Sequence, residues 1–126
     1  MTQLTIHRGN LEWENHQKMP TSMSWDKAHG YVNRLNARAY AGHADWRLPT
    51  VQELVSLVDY TRHDPAIDPA FEHTVSYYYW SSSTYAFSPN YARIVDFYNG
   101  LVYNYYKTHS NCVRAVRAGS VTEDKP

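Results

Sequence analysis

Of the twelve tyrosines in the chain, nine lie between Tyr77 and Tyr106. The stretch Val102–Cys112, VYNYYKTHSNC, mixes them with Asn, Ser, Thr and His. These residue types do recognition chemistry. A tyrosine ring offers a large contact area through few rotatable bonds and ends in a hydroxyl, while Ser, Asn and His add adaptable hydrogen bonds. Residues suited to covalent or metal chemistry are arranged less convincingly. Cys112 is the single cysteine, so neither a disulfide nor a thiol pair is available within the chain. Ser81, Ser82 and Ser83 follow Trp80 with no Gly-x-Ser-x-Gly elbow around them. His63, Asp64, Asp68, Glu72 and His73 are potential ligands, yet their spacing fits neither a helix-borne pair nor a calcium loop. The Asp-Pro steps among them form turns on their own account. The seven histidines are scattered. The chain is therefore read as a binding protein rather than an enzyme, with no metal and no cofactor.

Composition narrows the partner. A formal net charge of zero and a pI near 7.1 argue against electrostatic binding to nucleic acid or anionic membrane, which needs a basic patch, and neither is an expected ligand. The N-terminal stretch MTQLTIHRGNLEWENHQK has no apolar run of the signal-peptide kind, and no segment approaches a membrane span. A soluble protein is expected, with the compartment open between cytoplasm, virion and surface. The partner is expected to be a protein or a glycan, and a tyrosine-rich face also leaves self-association open. At 126 residues, one domain spanning 1–126 is expected.

The elements that must position these residues follow from periodicity. Leu4–Trp13 reads as a strand. Ser24 or Thr21 caps a helix over Trp25–Ala41, with Trp25, Ala28, Val32, Leu35 and Ala39 at helical spacing. Trp46-Arg47-Leu48 is extended, because Pro49 disfavours the helical region for its predecessor. Trp46 and Leu48 are assigned to the core, and Arg47 to a pair with Glu53 or Asp59. Thr50 with Glu53 three residues on is a capping-box signature. It opens a second helix whose buried stripe is Val51, Leu54, Val55, Leu57 and Val58. The segment 61–74 reads as an irregular loop.

The clearest unit is ARIVDFYNGLVYNYYK, in which Asn99-Gly100 separates two alternating runs, a strong hairpin signal. A two-residue turn pairs Tyr98 with Leu101, Phe97 with Val102, Asp96 with Tyr103 and Val95 with Asn104. One face then holds Val95, Phe97 and Val102 as core. The other displays Ile94, Asp96, Tyr98, Leu101, Tyr103 and Tyr105. A last strand, Val113–Val116, is expected beside the hairpin. Tyr79 and Tyr106 are the tyrosines best explained as packing. The order predicts an α+β domain: two helices on a small, mainly antiparallel twisted sheet with long loops.

The motifs DWRLPTVQELVSLVDY, DPAIDPAF, YYWSSST, aliphatic-Phe-x-Asn-Gly and VRAVRAG, in this order, resemble the Lcl C-terminal domain family, named for a domain of a collagen-like adhesin. The resemblance runs from about Trp25 to Gly119. It implies a C-type-lectin-like fold used for binding, related to the formylglycine-generating-enzyme branch. That branch uses paired cysteines, and this chain has one. Family members of known role bind sulfated glycans, so a fixed-specificity sulfated-glycan module is the alternative reading, with Arg114 and Arg117 as its cations.

Residues 83–112 resemble, in addition, the variable region of a diversity-generating retroelement protein. In such systems adenines of AAC codons are the usual targets, and changing the first two bases cannot yield Glu, Gln, Lys, Met or Trp. STYAFSPNYARIVDFYNGLVYNYYKTHSNC contains no Glu, Gln, Met or Trp and one lysine, Lys107. The expected ligand-binding residues are Tyr85, Phe87, Tyr91, Ile94, Asp96, Tyr98, Leu101, Tyr103, Tyr105, His109 and Asn111. Val95, Phe97, Gly100 and Val102 are the expected scaffold.

Overall fold

Gly9 turns the N-terminal alternation back on itself at φ +57°. The single expected strand is therefore a hairpin, β1 (Thr5–Arg8) against β2 (Leu11–Glu14), with Ile6 opposite Trp13. A computed structural model describes residues 4–15, 22–71, 74–75 and 77–119. After the hairpin come α1 (Trp25–Ala37), a short 3-10 turn (Tyr40–Gly42) and α2 (Val51–Val55). Four strands close the chain: β3 (Tyr78–Thr84), β4 (Tyr91–Asp96), β5 (Leu101–Tyr106) and β6 (Val116–Ala118). The class is α+β. The expected single sheet is two antiparallel sheets of three strands, ordered β1-β2-β6 and β3-β4-β5.

Both helices are shorter than their periodicity predicts. Ser24 caps α1, its hydroxyl accepting from Lys27 N–H, and Ala28, Val32 and Leu35 face inward. The helix stops at Ala37 because Asn36 grips the backbone of Trp46 twice, accepting from its N–H at 2.7 Å and donating to its carbonyl at 2.9 Å. The Trp46 indole N–H also donates to the Tyr40 carbonyl. These bonds pull the chain back, with Ala39 at φ 49°, before the stripe reaches its expected end. In α2 the capping box forms as expected: Thr50 Oγ1 accepts from Glu53 N–H and Glu53 Oε1 accepts from Thr50 N–H. Arg47 holds Glu53 through two bonds of 2.7 and 2.8 Å. The helix ends at Val55, and Val58 leaves it to pair with Ile67.

The segment expected as an ordered, irregular loop is held at 64–66 by the hairpin tip. Asp64 N–H donates to the Tyr98 carbonyl and Ala66 N–H to the Phe97 carbonyl. The last expected strand is also redistributed. Cys112 bridges Tyr79 in parallel, while Val116 pairs with Trp13 of the other sheet. The cause is Glu14, whose carboxylate accepts from Ala115 N–H at 3.0 Å inside the core and draws the chain toward β2.

β3 and β4 are buried on both sides. Neighbouring residues of a strand point to opposite faces, and here both faces are covered. Tyr79, Val95 and Phe97 join Trp13, Leu54, Ile67 and Phe71 in one cluster. Trp80, Ala92 and Ile94 join Val32, Leu35, Trp46 and Leu48 on the α1 side. β5 is the outer strand of its sheet and most of it is open to solvent. No helix among the described residues is long and apolar enough to cross a membrane.

Candidate ligand-binding surface

The hairpin that carries the tyrosines has a four-residue turn, Phe97–Gly100, with Asp96 opposite Leu101 and Val95 opposite Val102. Asp96 sets this turn: its Oδ1 accepts from Tyr98 N–H at 2.9 Å, and its carbonyl accepts from Gly100 N–H at 2.7 Å. Gly100 sits at φ +86°, a conformation that suits glycine. A Cβ there would come within 2.6 Å of Val58 Cγ1. The turn is longer than expected by two residues. An even slip keeps every side chain on its own face, so the expected sorting of faces survives the change of register.

On the α1 side, Tyr103 and Tyr105 of β5 meet Tyr78 of β3, with ring centroids 6.0 and 5.2 Å from it. Tyr77 stacks on Tyr78 at 5.1 Å, and His109 closes the row against Tyr105 at 5.4 Å. Desolvation, then the nearby Tyr105 and Asp96, push the Tyr78 phenol up. On the α2 side a second aromatic group forms. Tyr91 stacks on Tyr106 at 4.3 Å, Tyr85 reaches Tyr91 and Phe87, and Tyr106 touches His109. The two rows meet at His109, so the end of β5 is ringed by aromatics on both sides. Tyr98 stands apart at the turn, beside His63, and half of it is exposed.

Of the expected site residues, Tyr103, Tyr105 and His109 are brought together, as are Tyr85, Phe87 and Tyr91. Tyr98 and Leu101 lie at the tip. Three expectations are corrected. Ile94 is fully buried, because Trp80 crosses it from β3 and the α1 cluster covers it. Asp96 is buried and committed to the turn. Asn111 is buried, its backbone paired with Met23 in both directions. Among the expected scaffold residues Val102 is 38% exposed, since α2 ends at Val55 and does not cover it. Tyr106, assigned to packing, is 46% exposed, whereas Tyr79 is buried as expected. Tyr77 and Tyr78 were missed. The stretch YYYWSSST reads as extended, but sequence alone does not give that strand's partner, so the neighbours of Tyr77 and Tyr78 could not be read.

The arginines of the glycan reading are engaged elsewhere. Arg114 is buried, donating to the Glu14 carbonyl and to Thr74 Oγ1. Arg117 binds Asp45 and Glu12, both at 2.6 Å. They are not a pair of exposed cations. Cys112 is buried too, and desolvation pushes its thiol up to about 11. Among the described residues no three His, Cys, Asp or Glu side chains form a metal-binding group. Glu72 and His73 lie outside the described residues.

The Lcl C-terminal domain family model matches residues 5–117. The chain belongs to that family. No curated protein matches it.

Proposed function

We propose that this member of the Lcl C-terminal domain family is a binding protein, without catalytic activity of its own, whose tyrosine-rich surface is diversified by a retroelement. The observation that carries the reading is the contrast between two paired strands. In β4, Ala92, Ile94, Val95 and Asp96 are buried, while β5 opposite them presents Leu101, Val102 and Tyr103 to solvent. Framework and display are thus separated strand by strand. Residues on β5 can change without moving the strand that anchors the fold.

The mechanism is reversible recognition. Tyr103, Tyr105, Tyr78 and His109 form one contiguous aromatic face, and Tyr91, Tyr106, Tyr85 and Phe87 extend it round the edge. Rings already packed against one another lose little further freedom on binding, which favours affinity. A ring that becomes fully desolvated against a partner would contribute about 2 kcal/mol or more, with most neighbours near neutral. A protein or a glycan fits such a surface. We read the fold as C-type-lectin-like on the strength of the family.

Sequencing this locus across a population tests the diversification directly. Substitutions should concentrate between codons 83 and 112, at codons whose template copy reads AAC, beside a gene for a reverse transcriptase. An invariant sequence with no template repeat would sink the reading.

A further inference from the structure

The α2 side of the hairpin carries a cleft of about 480 Å³. It exists for two structural reasons. Between Trp80 and Thr84 the register of β3 slips, so that four steps along β3 match two along β4, from Ile94 to Ala92. The slip spreads the sheet where Arg93 projects. In addition α2 stops at Val55 and leaves Val102 of β5 half-covered.

The chemistry inside is mixed. Val51, Val55 and Val102 form apolar walls, Gln52 and Thr84 stand among them, and Arg93 supplies the charge. Among the described residues no carboxylate lines the cleft. Among the described residues the only side chain set against the Arg93 guanidinium is the Tyr85 ring, 5.2 Å from its centroid. Lys107 belongs to the other side: its Nζ donates to Thr84 Oγ1 at 3.1 Å and lies 4.0 Å from the Trp25 ring of α1, so Arg93 is the cation of the cleft lining.

The geometry points to a second binding site here, for a ligand that joins one carboxylate to a short apolar chain. The planar guanidinium fork matches a carboxylate with two parallel hydrogen bonds. The valine walls are suited to the alkyl part, and the volume fits a small molecule. One half-buried guanidinium answers one negative charge. The same chemistry is presented by a free aliphatic acid and by the C-terminal carboxylate of a peptide ending in an apolar residue. The site faces α2, away from Tyr103 and Tyr105; Thr84, Arg93 and Val102 of its lining fall within codons 83–112, so the test is made on this chain's own sequence.

The test is NMR titration of the isotopically labelled chain, following the methyl signals of Val51, Val55 and Val102. The probes are hexanoate against hexanol, and a short peptide ending in leucine as the free acid against its amide. Binding by an acid with its neutral counterpart silent is the expected result. The tighter of the two acids then identifies the source. Arg93→Gln should weaken that binding at least about tenfold, as loss of a charged hydrogen-bond partner requires, while the thermal midpoint confirms folding. Arg93→Lys, which keeps the charge and loses the fork, serves as the second variant and should fall between the two. Tyr103→Ser should leave the titration unchanged. Equal shifts with acid and neutral probe, no shift with any probe, or full acid binding by a folded Arg93→Gln would overturn the assignment.

Discussion

Ile94 and Tyr103 stand directly opposite one another on the same face of the sheet, yet Ile94 is sealed at 0% exposure and Tyr103 is open at 40%. The difference comes from what lies above each. Trp80 crosses Ile94 from β3, whereas β5 is an outer strand with no strand beyond it among the described residues. Tyr103→Ser should therefore cost less than about 1 kcal/mol of stability, as an exposed substitution does. Ile94→Ala should cost about 2–5 kcal/mol, because it leaves a cavity in a closed core. Urea unfolding of the two variants checks this. Equal losses would mean that Tyr103 is part of the framework.

The hairpin turn rests on Asp96 and Gly100 together. Asp96→Ala removes the acceptor of the Tyr98 amide and should cost about 1 kcal/mol. Gly100→Ala should cost more, about 1–3 kcal/mol, since it combines a strained φ with a close approach to Val58. Thermal midpoints should rank wild type, then Asp96→Ala, then Gly100→Ala. The reverse order would show that the carboxylate matters more than the backbone conformation.

Local signals in this sequence were legible where the chemistry is local. The Thr50–Glu53 capping box, the Arg47–Glu53 pair and the burial of Trp46 and Leu48 all follow from a few adjacent residues. The sorting of the β4 and β5 faces was legible too, because parity survives an even slip in register. What was not legible depends on distant partners. Asn36 ends α1 through Trp46, ten positions away. Glu14 diverts the final strand across a separation of 101 residues. Asp96 looked like a surface acid because nothing in a strand pattern reveals a side chain that folds back on its own turn. The burial of Ile94 required knowing that β3 lies alongside β4, which periodicity does not encode. The cleft at Arg93 was equally hidden, since it is made by a register slip and a helix end.

Glu14 ties β2 to α1 and to the segment that leads into β6, from inside the core. Its carboxylate accepts from Ala115 N–H and from the Tyr31 hydroxyl, and its carbonyl accepts from the buried Arg114. Desolvation and Glu14 push the Tyr31 phenol well above its ordinary range, and desolvation raises Tyr40 to about 12. Glu14→Ala should cost about 3–5 kcal/mol, as removing one partner of a buried charged network does. Glu14→Gln, which keeps the shape and an acceptor, should cost less. Alkaline difference spectroscopy gives a second readout. In the wild type Tyr31 and Tyr40 should stay un-ionised until the fold is lost, and in Glu14→Ala they should ionise earlier.

Acid should loosen the fold through its paired carboxylates. Hydrogen bonds from Arg47 hold Glu53 below its ordinary pKa, those from Arg8 do the same for Asp68, and those from Arg117 for Asp45. A carboxylate whose folded pKa is depressed adds stability above its unfolded pKa, about 4, and loses it as the pH falls through the folded value. Stability should accordingly decline below about pH 4 as these groups take up protons. Glu53→Gln removes one of them, so its deficit relative to the wild type should be largest near neutrality and shrink as both are acidified. Asp68→Asn should behave the same way, with the Arg8 contact as the part that is lost. Thermal midpoints measured from pH 7 down to pH 3 give the comparison. A deficit that stays constant across that range would mean that the pairs act through packing, with their charge contributing nothing.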